Sequence, residues 1–315
     1  MVTYMKVLIT GGSGFIGSHI AEKCHNEGHE VFIIDNLSTG KRENIPFIDE
    51  THFYHEDVKN FELITELVKT HQFDYVFHMA AMVSVVETVE KPVESNADNI
   101  DSTIHLLEAN RQYNDHLKKF FFASSAAIYG DLPDLPKSVE GSNVNPLSPY
   151  AVQKFAGEQY SKIYHSLYGL PTVALRFFNV YGPRQNPESD YSGVLSIINQ
   201  KFLNKAPFTF FGDGKQTRDF IYIKDLLQAI WIVIQDEETN GKVYNAGTGN
   251  QTDLITVFNA FADYFGYEVP YSFKEARAGD IKHSYSDVTP LKDLGFTPEY
   301  DVMKGIAEYL KYNQD

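Results

Sequence analysis

A short apolar strand followed by a glycine-rich turn and a helix is the feature that most constrains the fold. The strand is predicted at Lys6–Thr10, and Gly11, Gly14 and Gly17 come directly after it. A helix then leads to a second apolar strand at Glu30–Ile34. A strand, a helix and a strand in this order form a βαβ unit, in which a right-handed crossover makes the two strands parallel. The sequence therefore predicts an α/β fold built on a doubly wound parallel sheet.

Further apolar runs extend the predicted sheet. Residues 75–79, 120–123 and 172–177 are predicted to be strands buried on both faces, because helical segments alternate with them. Two of these helical segments, residues 96–110 and 150–168, repeat apolar side chains at helical spacing and so have an apolar face to bury.

The texture of the chain changes after about residue 179, where loops rich in Gly, Pro, Asn and Asp become frequent. A helix near residues 225–235 and a strand at 243–246 interrupt these loops. We therefore predict two parts. The sheet domain takes residues 1–178 and 221–249, and a smaller discontinuous lobe takes residues 179–220 and 250–315.

Composition excludes several classes of protein. The chain has 27 basic and 42 acidic residues, and this net charge of -15 argues against binding to nucleic acid. No apolar run reaches the roughly 18 residues of a membrane span, and a single cysteine, Cys24, forms no internal disulfide, so we expect a cytoplasmic protein outside the membrane. No metal is expected, because four histidines lack the spacing of a ligand set: His52, His55, His71 and His78.

The glycine turn and an acidic residue beyond it predict a dinucleotide site. Glycines at a helix N-terminus let a pyrophosphate approach the backbone amides closely. Asp35 ends the second strand about 18 residues after Gly17, where a carboxylate accepts hydrogen bonds from a ribose diol. That carboxylate favours NAD over NADP, although Lys41 and Arg42 lie nearby. The alternative role for Asp35 is an ordinary turn cap.

Candidate catalytic residues follow two later elements. Tyr150 and Lys154 are one helical turn apart, and Ser124 and Ser125 come at the end of a predicted strand, where doubly wound sheets bind ligands. We hypothesise that Tyr150 is the acid and base, that Lys154 lowers the pKa of its phenol and holds the cofactor ribose, and that Ser125 hydrogen-bonds the reacting hydroxyl. The alternative is a solvated helix surface carrying an unrelated tyrosine and lysine.

The chain resembles the extended short-chain dehydrogenases, and most closely the nucleotide-sugar 4-epimerases that act on UDP-glucose and UDP-N-acetylhexosamines. The resemblance runs nearly end to end. It is carried by Gly-Gly-Ser-Gly-Phe-Ile-Gly at 11–17, Ser-Ser-Ala-Ala-Ile-Tyr-Gly at 124–130, Tyr-Ala-Val-Gln-Lys at 150–154, Arg-Phe-Phe-Asn-Val-Tyr-Gly-Pro-Arg at 176–184, and Gly-Asp-Gly at 212–214 with Arg-Asp-Phe at 218–220.

The resemblance implies a Rossmann domain that binds NAD and a lobe that binds a nucleotide sugar. It implies C4 epimerisation of a UDP-hexose, by transient hydride transfer to NAD through a 4-keto sugar. It also implies a homodimer formed through the helices at 96–110 and 150–168, although packing within the chain would equally explain their apolar faces.

The resemblance also implies particular contacts. Asn179 would donate to the diphosphate, Arg218 and Arg277 would neutralise it, and Asp280 would accept from the nucleotide ribose. The implied cofactor contacts are Gly11, Gly14, Phe15, Ile16, Asp35, Asn36, Asp57, Val58, Ala80, Ala81, Asn99, Tyr150 and Lys154. The implied substrate contacts are Ser84, Ser125, Asn179, Arg218, Arg277, Asp280 and Ser284; for Ser84 a bond to its own backbone is an equally good interpretation.

Two departures bear on the substrate. Ala126 and Ala127 stand where related dehydratases carry an acidic pair, which favours simple epimerisation. Ser284 stands where strict UDP-glucose epimerases of the family carry a bulky aromatic residue, so UDP-GlcNAc and UDP-GalNAc are expected to be accepted beside UDP-Glc and UDP-Gal. The adjacent Tyr285 would reverse this inference if the alignment shifts by one residue. A UDP-glucuronate 4-epimerase, a decarboxylase that forms UDP-xylose and a non-catalytic NAD-sensing scaffold remain alternatives.

Overall fold

The computed structural model describes residues 4–185, 193–276 and 281–312. Its strands are β1 Lys6–Thr10, β2 Glu30–Ile34, β3 Phe53–Tyr54, β4 Tyr75–His78, β5 Lys119–Ser125, β6 Thr172–Phe177, β7 Asn179–Tyr181, β8 Phe208–Phe211, β9 Thr217–Arg218, β10 Phe220–Tyr222, β11 Lys242–Ala246, β12 Thr252–Asp253 and β13 Tyr271–Lys274. Its helices are α1 Phe15–Asn26, α2 Phe61–His71, α3 Val85–Glu90, α4 Pro92–Asn96, α5 Ser102–Tyr113, α6 Pro149–Tyr168, α7 Val194–Leu203, α8 Ile223–Gln235, α9 Leu254–Phe265, α10 Thr289–Asp293 and α11 Val302–Tyr312.

Seven strands form the central sheet, in the order β11-β6-β5-β4-β1-β2-β3. Strand β1 is an interior strand and pairs in parallel with β2 on one side and β4 on the other. The predicted α/β fold with a doubly wound parallel sheet is confirmed. The apolar runs form central strands because both of their faces are covered, and Val7, Leu8 and Ile9 of β1 are all fully buried.

Helix α6 packs closely on strand β5, and a glycine makes this approach possible. A Cβ atom at Gly157 would lie 2.4 Å from Cζ of Phe122, which is nearer than real Cβ contacts come. The helix therefore rests directly on the aromatic ring. Helix α6 begins after Ser148, whose side chain accepts a hydrogen bond from the Ala151 amide. Near the start of the helix, Lys154 donates to the carbonyl of Ala123 in β5.

The chain divides into two compact units. The first consists of Met1–Ile128, Pro146–Arg176 and Ile230–Tyr244, and the second of Tyr129–Asn145, Phe177–Ala229 and Asn245–Asp315. The division drawn from sequence differs, because it placed residues 129–145, 177–178, 221–229 and 245–249 in the sheet domain.

Hydrogen bonds between distant parts of the sequence explain where the units differ from the predicted domains. The amide of Lys137 donates to the carbonyl of Tyr285 at 2.9 Å, which attaches residues 129–145 to the second unit. The start of α8 belongs to that unit because Asp225 accepts hydrogen bonds from the amides of Glu299 and Tyr300. Within the described residues, every helix is too short or too polar to cross a membrane.

The contact between α6 and β5 predicts an unusual effect of a glycine substitution. Alanine normally stabilises a helix interior by about 1 kcal/mol relative to glycine. At Gly157 the added methyl group meets the Phe122 ring, so we expect Gly157→Ala to lower the free energy of unfolding by about 1–3 kcal/mol. Urea unfolding followed by circular dichroism measures this. The control Lys162→Ala, at an exposed position of the same helix, should change it by less than about 0.5 kcal/mol; an unchanged or stabilised Gly157→Ala protein would contradict the packing argument.

Candidate active site

The glycine-rich turn after β1 forms a tight cradle of backbone atoms. Gly11 has a φ of +68°, and a Cβ atom there would lie 2.8 Å from the amide nitrogen of Ala80. Helix α1 begins at Phe15 with Gly14 as its N-cap and has no side-chain capping bond. The amides of the first helical turn are therefore not capped by a side chain. This arrangement fits an anionic pyrophosphate, as the motif predicted.

Asp35 organises this turn from the end of β2. Its Oδ2 accepts a hydrogen bond from the amide of Ser13 at 2.8 Å, and its Oδ1 accepts one from the amide of Leu37 at 2.8 Å. Burial raises the pKa of the Asp35 carboxyl, and the two backbone hydrogen bonds oppose that rise. Asp35 therefore does cap the turn, through these two backbone amides. Each carboxylate oxygen keeps a second lone pair, so the ribose interpretation stays a prediction beside it.

The other predicted cofactor residues continue along the same edge of the sheet. The side chain of Asn36 donates to Asp57 at 3.2 Å, and Val58 is buried in the hydrophobic core. The amide of Ala80 donates to the hydroxyl of Thr10 at 3.3 Å. Strand ends and loops that sequence reasoning assigned to one cofactor thus lie side by side. The glycine cradle, the open helix end and the carboxylate together fit a dinucleotide such as NAD.

Ser125, Tyr150 and Lys154 are brought together at the junction of β5 and α6. The Lys154 ammonium is buried, donates to the carbonyl of Ala123 at 2.9 Å and lies 5.9 Å from the centre of the Tyr150 ring. Ser125 ends β5, forms a side-chain hydrogen bond with Tyr150, and accepts one from the amide of Ala127 at 3.2 Å. These three residues form a compact polar group on buried elements, unlike a solvated helix surface.

The pKa values of this group have clear physical causes. Burial lowers the pKa of Lys154 to about 8. Burial raises the pKa of the Tyr150 phenol, and the hydrogen bond with Ser125 opposes that rise. From the sequence, the Lys154 ammonium was expected to lower the pKa of the Tyr150 phenol. In the protein alone the direction is upward, because removing the phenolate from water outweighs the stabilising contact.

The predicted substrate residues fall in both compact units. In the first unit, Ser84 caps helix α3, and its hydroxyl oxygen accepts a hydrogen bond from the amide of Glu87 at 2.8 Å. In the second unit, the side-chain amide of Asn179 donates to the carbonyl of Asp219 at 3.2 Å, and the amide of Ser284 donates to the carbonyl of Thr217 at 3.2 Å. Ser284 is half-buried. The remaining predicted contacts behave differently: Arg218 donates to the carbonyl of Thr217, and Arg277 and Asp280 lie outside the described residues.

Asp219, whose backbone carbonyl accepts from Asn179, was not singled out from the sequence. Its side chain is fully buried and accepts hydrogen bonds from the amides of Thr248, Gly249 and Ser286, and from the hydroxyls of Thr248 and Ser286. A Cβ atom at Gly247 would lie 2.5 Å from Asp219 Oδ2, so glycine is needed beside it. The sequence places Asp219 within the motif at 218–220, but carries no signal for partners that lie far along the chain.

Comparisons with known proteins agree on one family. Residues 7–247 match the model of the NAD dependent epimerase/dehydratase family. A relative from Methanocaldococcus jannaschii, named a putative UDP-glucose 4-epimerase, is 36% identical and aligned over 97% of each chain.

Solved structures are similar over almost the whole chain. A UDP-N-acetylglucosamine 4-epimerase from Methanobrevibacter ruminantium, in complex with UDP-N-acetylmuramic acid, has a TM-score of 0.91 and 36% identity, and the match covers 99% of each chain. A UDP-glucuronic acid 4-epimerase from Bacillus cereus, in complex with UDP-glucuronic acid and NAD, has a TM-score of 0.87 and 31% identity, and the match covers 98% of this chain and 99% of that one.

The position of Asp35 generates a prediction about cofactor affinity. Asp35→Asn removes the charge and turns an amide donor toward one of the two backbone amides that now donate to the carboxylate. The predicted hydrogen bond from the NAD ribose to the charged carboxylate is lost as well. Losing a hydrogen bond to a charged group costs about 1.5–3 kcal/mol, so the Kd for NAD should rise about tenfold or more. Isothermal titration calorimetry measures it. The control is Asp49→Asn, because Asp49 caps an exposed turn through Thr51 and should leave the Kd unchanged; equal Kd values for both variants would remove Asp35 from the cofactor site.

Proposed function

The chain belongs to the NAD-dependent epimerase/dehydratase family, and we propose that it epimerises a UDP-hexose at C4 with NAD as its cofactor. The observation that carries this proposal is the joining of Ser125, Tyr150 and Lys154 at the carboxyl end of β5. Strand β5 pairs with β4, and β4 pairs with β1, the strand that precedes the glycine turn. The relatives named as 4-epimerases of UDP-sugars support the reaction class.

The residues of the first unit supply proton transfer and orientation. Bound NAD would supply the reversible hydride acceptor for C4 of the sugar. Tyr150 Oη takes the proton of the 4-hydroxyl and gives it back, while Ser125 Oγ hydrogen-bonds the same oxygen. The Lys154 ammonium stabilises the phenolate electrostatically and holds the cofactor ribose. No carboxylate stands at Ala126 or Ala127, so no general acid is provided there for loss of water from the sugar.

The second unit is proposed to hold the nucleotide diphosphate. Asn179 donates to it and Arg218 neutralises its charge, and Arg277 and Asp280 stay predictions for the diphosphate and the nucleotide ribose. Ser284 is small and half-buried, so we propose that it leaves room for a 2-acetamido group. The preferred substrates are then UDP-GlcNAc and UDP-GalNAc, with UDP-Glc and UDP-Gal also accepted. UDP-glucuronate is the second candidate, because a structure 31% identical to this chain is named a UDP-glucuronic acid 4-epimerase.

The helices at 96–110 and 150–168 were expected to form a homodimer, but Leu106 and Leu107 of the first of them are buried within the first unit. We therefore propose a homodimer through an apolar surface that keeps α6 and takes α3 and α4 in place of the other helix. This surface consists of five exposed valines and one exposed leucine. Its members are Val85, Val86, Val89, Val93, Val152 and Leu167. Exposed apolar side chains on neighbouring helices mark interaction sites, and two copies of this surface would form a self-complementary interface. The mass in solution, measured by sedimentation, tests the proposal: a monomer at micromolar concentration would refute it.

A parallel assay of UDP-GlcNAc, UDP-Glc and UDP-glucuronate tests the reaction. We expect interconversion of C4 epimers without net NADH, and we expect Tyr150→Phe to lower kcat by at least about 100-fold, since general acid and base catalysis contributes about 10²–10⁴. NMR of the products distinguishes C4 epimers from UDP-xylose. Tyr160→Phe, on the exposed surface of the same helix, is the control and should keep wild-type kcat. Near-normal kcat for Tyr150→Phe would sink the assignment, and release of carbon dioxide would change the reaction class.

The lowered pKa of Lys154 predicts the effect of alkaline pH. Since the ammonium is the useful form, kcat/KM should fall as pH rises above about 8, the pKa of Lys154. The free energy of unfolding should not fall through Lys154 in that range. The unfolded lysine keeps its proton to higher pH than the folded one, so this residue contributes more stability as pH rises from 8 toward 10.5. Steady-state kinetics and urea unfolding between pH 7 and 10 are measured together; a flat kcat/KM across pH 8 would contradict the role of the ammonium.

A further inference from the structure

A network of hydrogen-bonded, buried polar side chains in the first unit begins at the end of β1 and includes His78. His78 Nδ1 lies 2.8 Å from Thr10 Oγ1, and Nε2 lies 2.9 Å from Thr103 Oγ1. The Thr103 hydroxyl donates its own hydrogen to the carbonyl of Asn99 at 2.8 Å, so it has to accept one from His78. Nε2 of His78 therefore carries the proton, and Nδ1 accepts from the hydroxyl of Thr10.

The position of His78 agrees with this order of donors. The ring is buried, and burial lowers its pKa to about 3, so it stays neutral and has one donor and one acceptor nitrogen. Thr10 in turn accepts from the amide of Ala80 at 3.3 Å while donating to the ring. In this part of the network, each hydroxyl donates one hydrogen bond and accepts one, and each ring nitrogen of His78 either donates or accepts. His78 is thus built into the core between two hydroxyl groups.

Asn99 extends the hydrogen-bond network toward the loop after β4. It lies in a π-helical turn, Ala97–Asp101, inserted between α4 and α5. Its side-chain Nδ2 donates to the carbonyl of Met82 at 3.0 Å and to Oε1 of Gln153 at 2.7 Å, and its Oδ1 accepts from the amide of Met82 at 2.7 Å. Both amide hydrogens are thereby used within the protein. The Asn99 side chain thus hydrogen-bonds both the amide and the carbonyl of Met82.

Gln153 connects the hydrogen-bond network to α6, the helix that carries Tyr150 and Lys154. Its Nε2 donates to the hydroxyl of Ser95 at 2.8 Å, and that hydroxyl donates to the carbonyl of Pro92 at 3.1 Å. Gln153 is buried and immediately precedes Lys154 on α6. Every polar atom of its amide thus has a protein partner, one from α4 and one from the π-helical turn.

We propose that Asn99 and Gln153 are positioning residues that hold Met82 at a fixed place relative to Tyr150 and Lys154. Met82 follows the alanines predicted to line the cofactor and precedes the serine that caps α3. The network therefore sets the distance between the cofactor loop and the acid and base. Gln153 acts through other residues, whereas Asn99 is also among the expected cofactor contacts, and both of its side-chain amide hydrogens have protein partners. This inference rests on the proposed function, in which the loop and the helix act on one substrate.

Replacing Gln153 by methionine keeps the size of the side chain and removes both hydrogen bonds. We expect Gln153→Met to lower kcat about tenfold or more and to raise the Kd for NAD at least about threefold, because displacements near 1 Å cost about 100-fold in rate. The KM for the UDP-sugar, which the other unit is proposed to bind, should stay within about threefold. Gln159→Met on the same helix is the control, since the Gln159 side chain bonds only weakly, at 3.4 Å, to Glu158.

A second pair of variants tests the order of hydrogen bonds. Thr103→Val removes the hydroxyl with little change of shape, and Thr103→Ser keeps it. We expect the valine variant to raise the Kd for NAD and lower kcat as Gln153→Met does, and the serine variant to stay within about twofold of wild type. In ¹⁵N-histidine NMR of the wild-type protein, His78 should be neutral with its proton on Nε2 from about pH 5 to 8.

The outcomes separate this proposal from the proposed function. If the wild-type protein interconverts no UDP-hexose, the function fails, while NAD affinity and the His78 tautomer still test the network. The proposal is overturned if folded Gln153→Met matches Gln159→Met in kcat and in the Kd for NAD, or if His78 carries its proton on Nδ1. Circular dichroism of each variant establishes that it is folded. Should Gln153→Met not fold, the Thr103 pair and the tautomer decide the matter.

Discussion

The packing of α6 on β5 is the contact on which the catalytic group depends. Gly157 lets the helix rest on the Phe122 ring, and one turn earlier the Lys154 ammonium reaches a backbone carbonyl of the same strand. Next to the glycine, Glu158 forms a buried ion pair with Arg176 of β6, with nitrogen–oxygen distances of 2.7 and 2.9 Å. A buried pair adds little net stability, because both charges lose their hydration. Its strict geometry instead fixes the rotation of the helix, and with it the direction in which the catalytic side chains point.

Each compact unit places a fully hydrogen-bonded polar residue where its predicted ligand residues meet. In the first unit Asn99 binds one loop and the catalytic helix, and in the second Asp219 binds the segments that contain Thr248 and Ser286. A buried polar group whose partner is lost costs far more than the bond contributes, so such a hub tolerates only one arrangement of its loops. An apolar core of the same volume would permit several loop positions. Burying polar groups here therefore trades stability for a defined geometry.

The sequence predicted what depends on local pattern. The apolar runs located the central strands to within two residues at their ends, since continuous burial leaves a clear signal: β5 was expected at 120–123 and spans Lys119–Ser125. The glycine spacing likewise located the cradle at Gly11. Two features escaped prediction because they depend on contacts distant in sequence. Residues 129–145 join the second unit through the bond between Lys137 and Tyr285, and the helix expected at 96–110 contains a π-helical turn around Asn99.

The direction of the Tyr150 pKa explains why the proposed chemistry needs a loaded site. A phenol with a pKa near 10 has to lose about 4 kcal/mol of preference for its proton to act as a base at pH 7. Burial alone moves the pKa of Tyr150 the other way. The Lys154 ammonium and a cationic nicotinamide ring therefore have to supply that energy and the cost of burial together, and burial strengthens both interactions. Burial disfavours the phenolate in the protein alone, and it also strengthens the attraction between the phenolate and both cations, so in the proposed mechanism bound cofactor would favour the basic form of Tyr150.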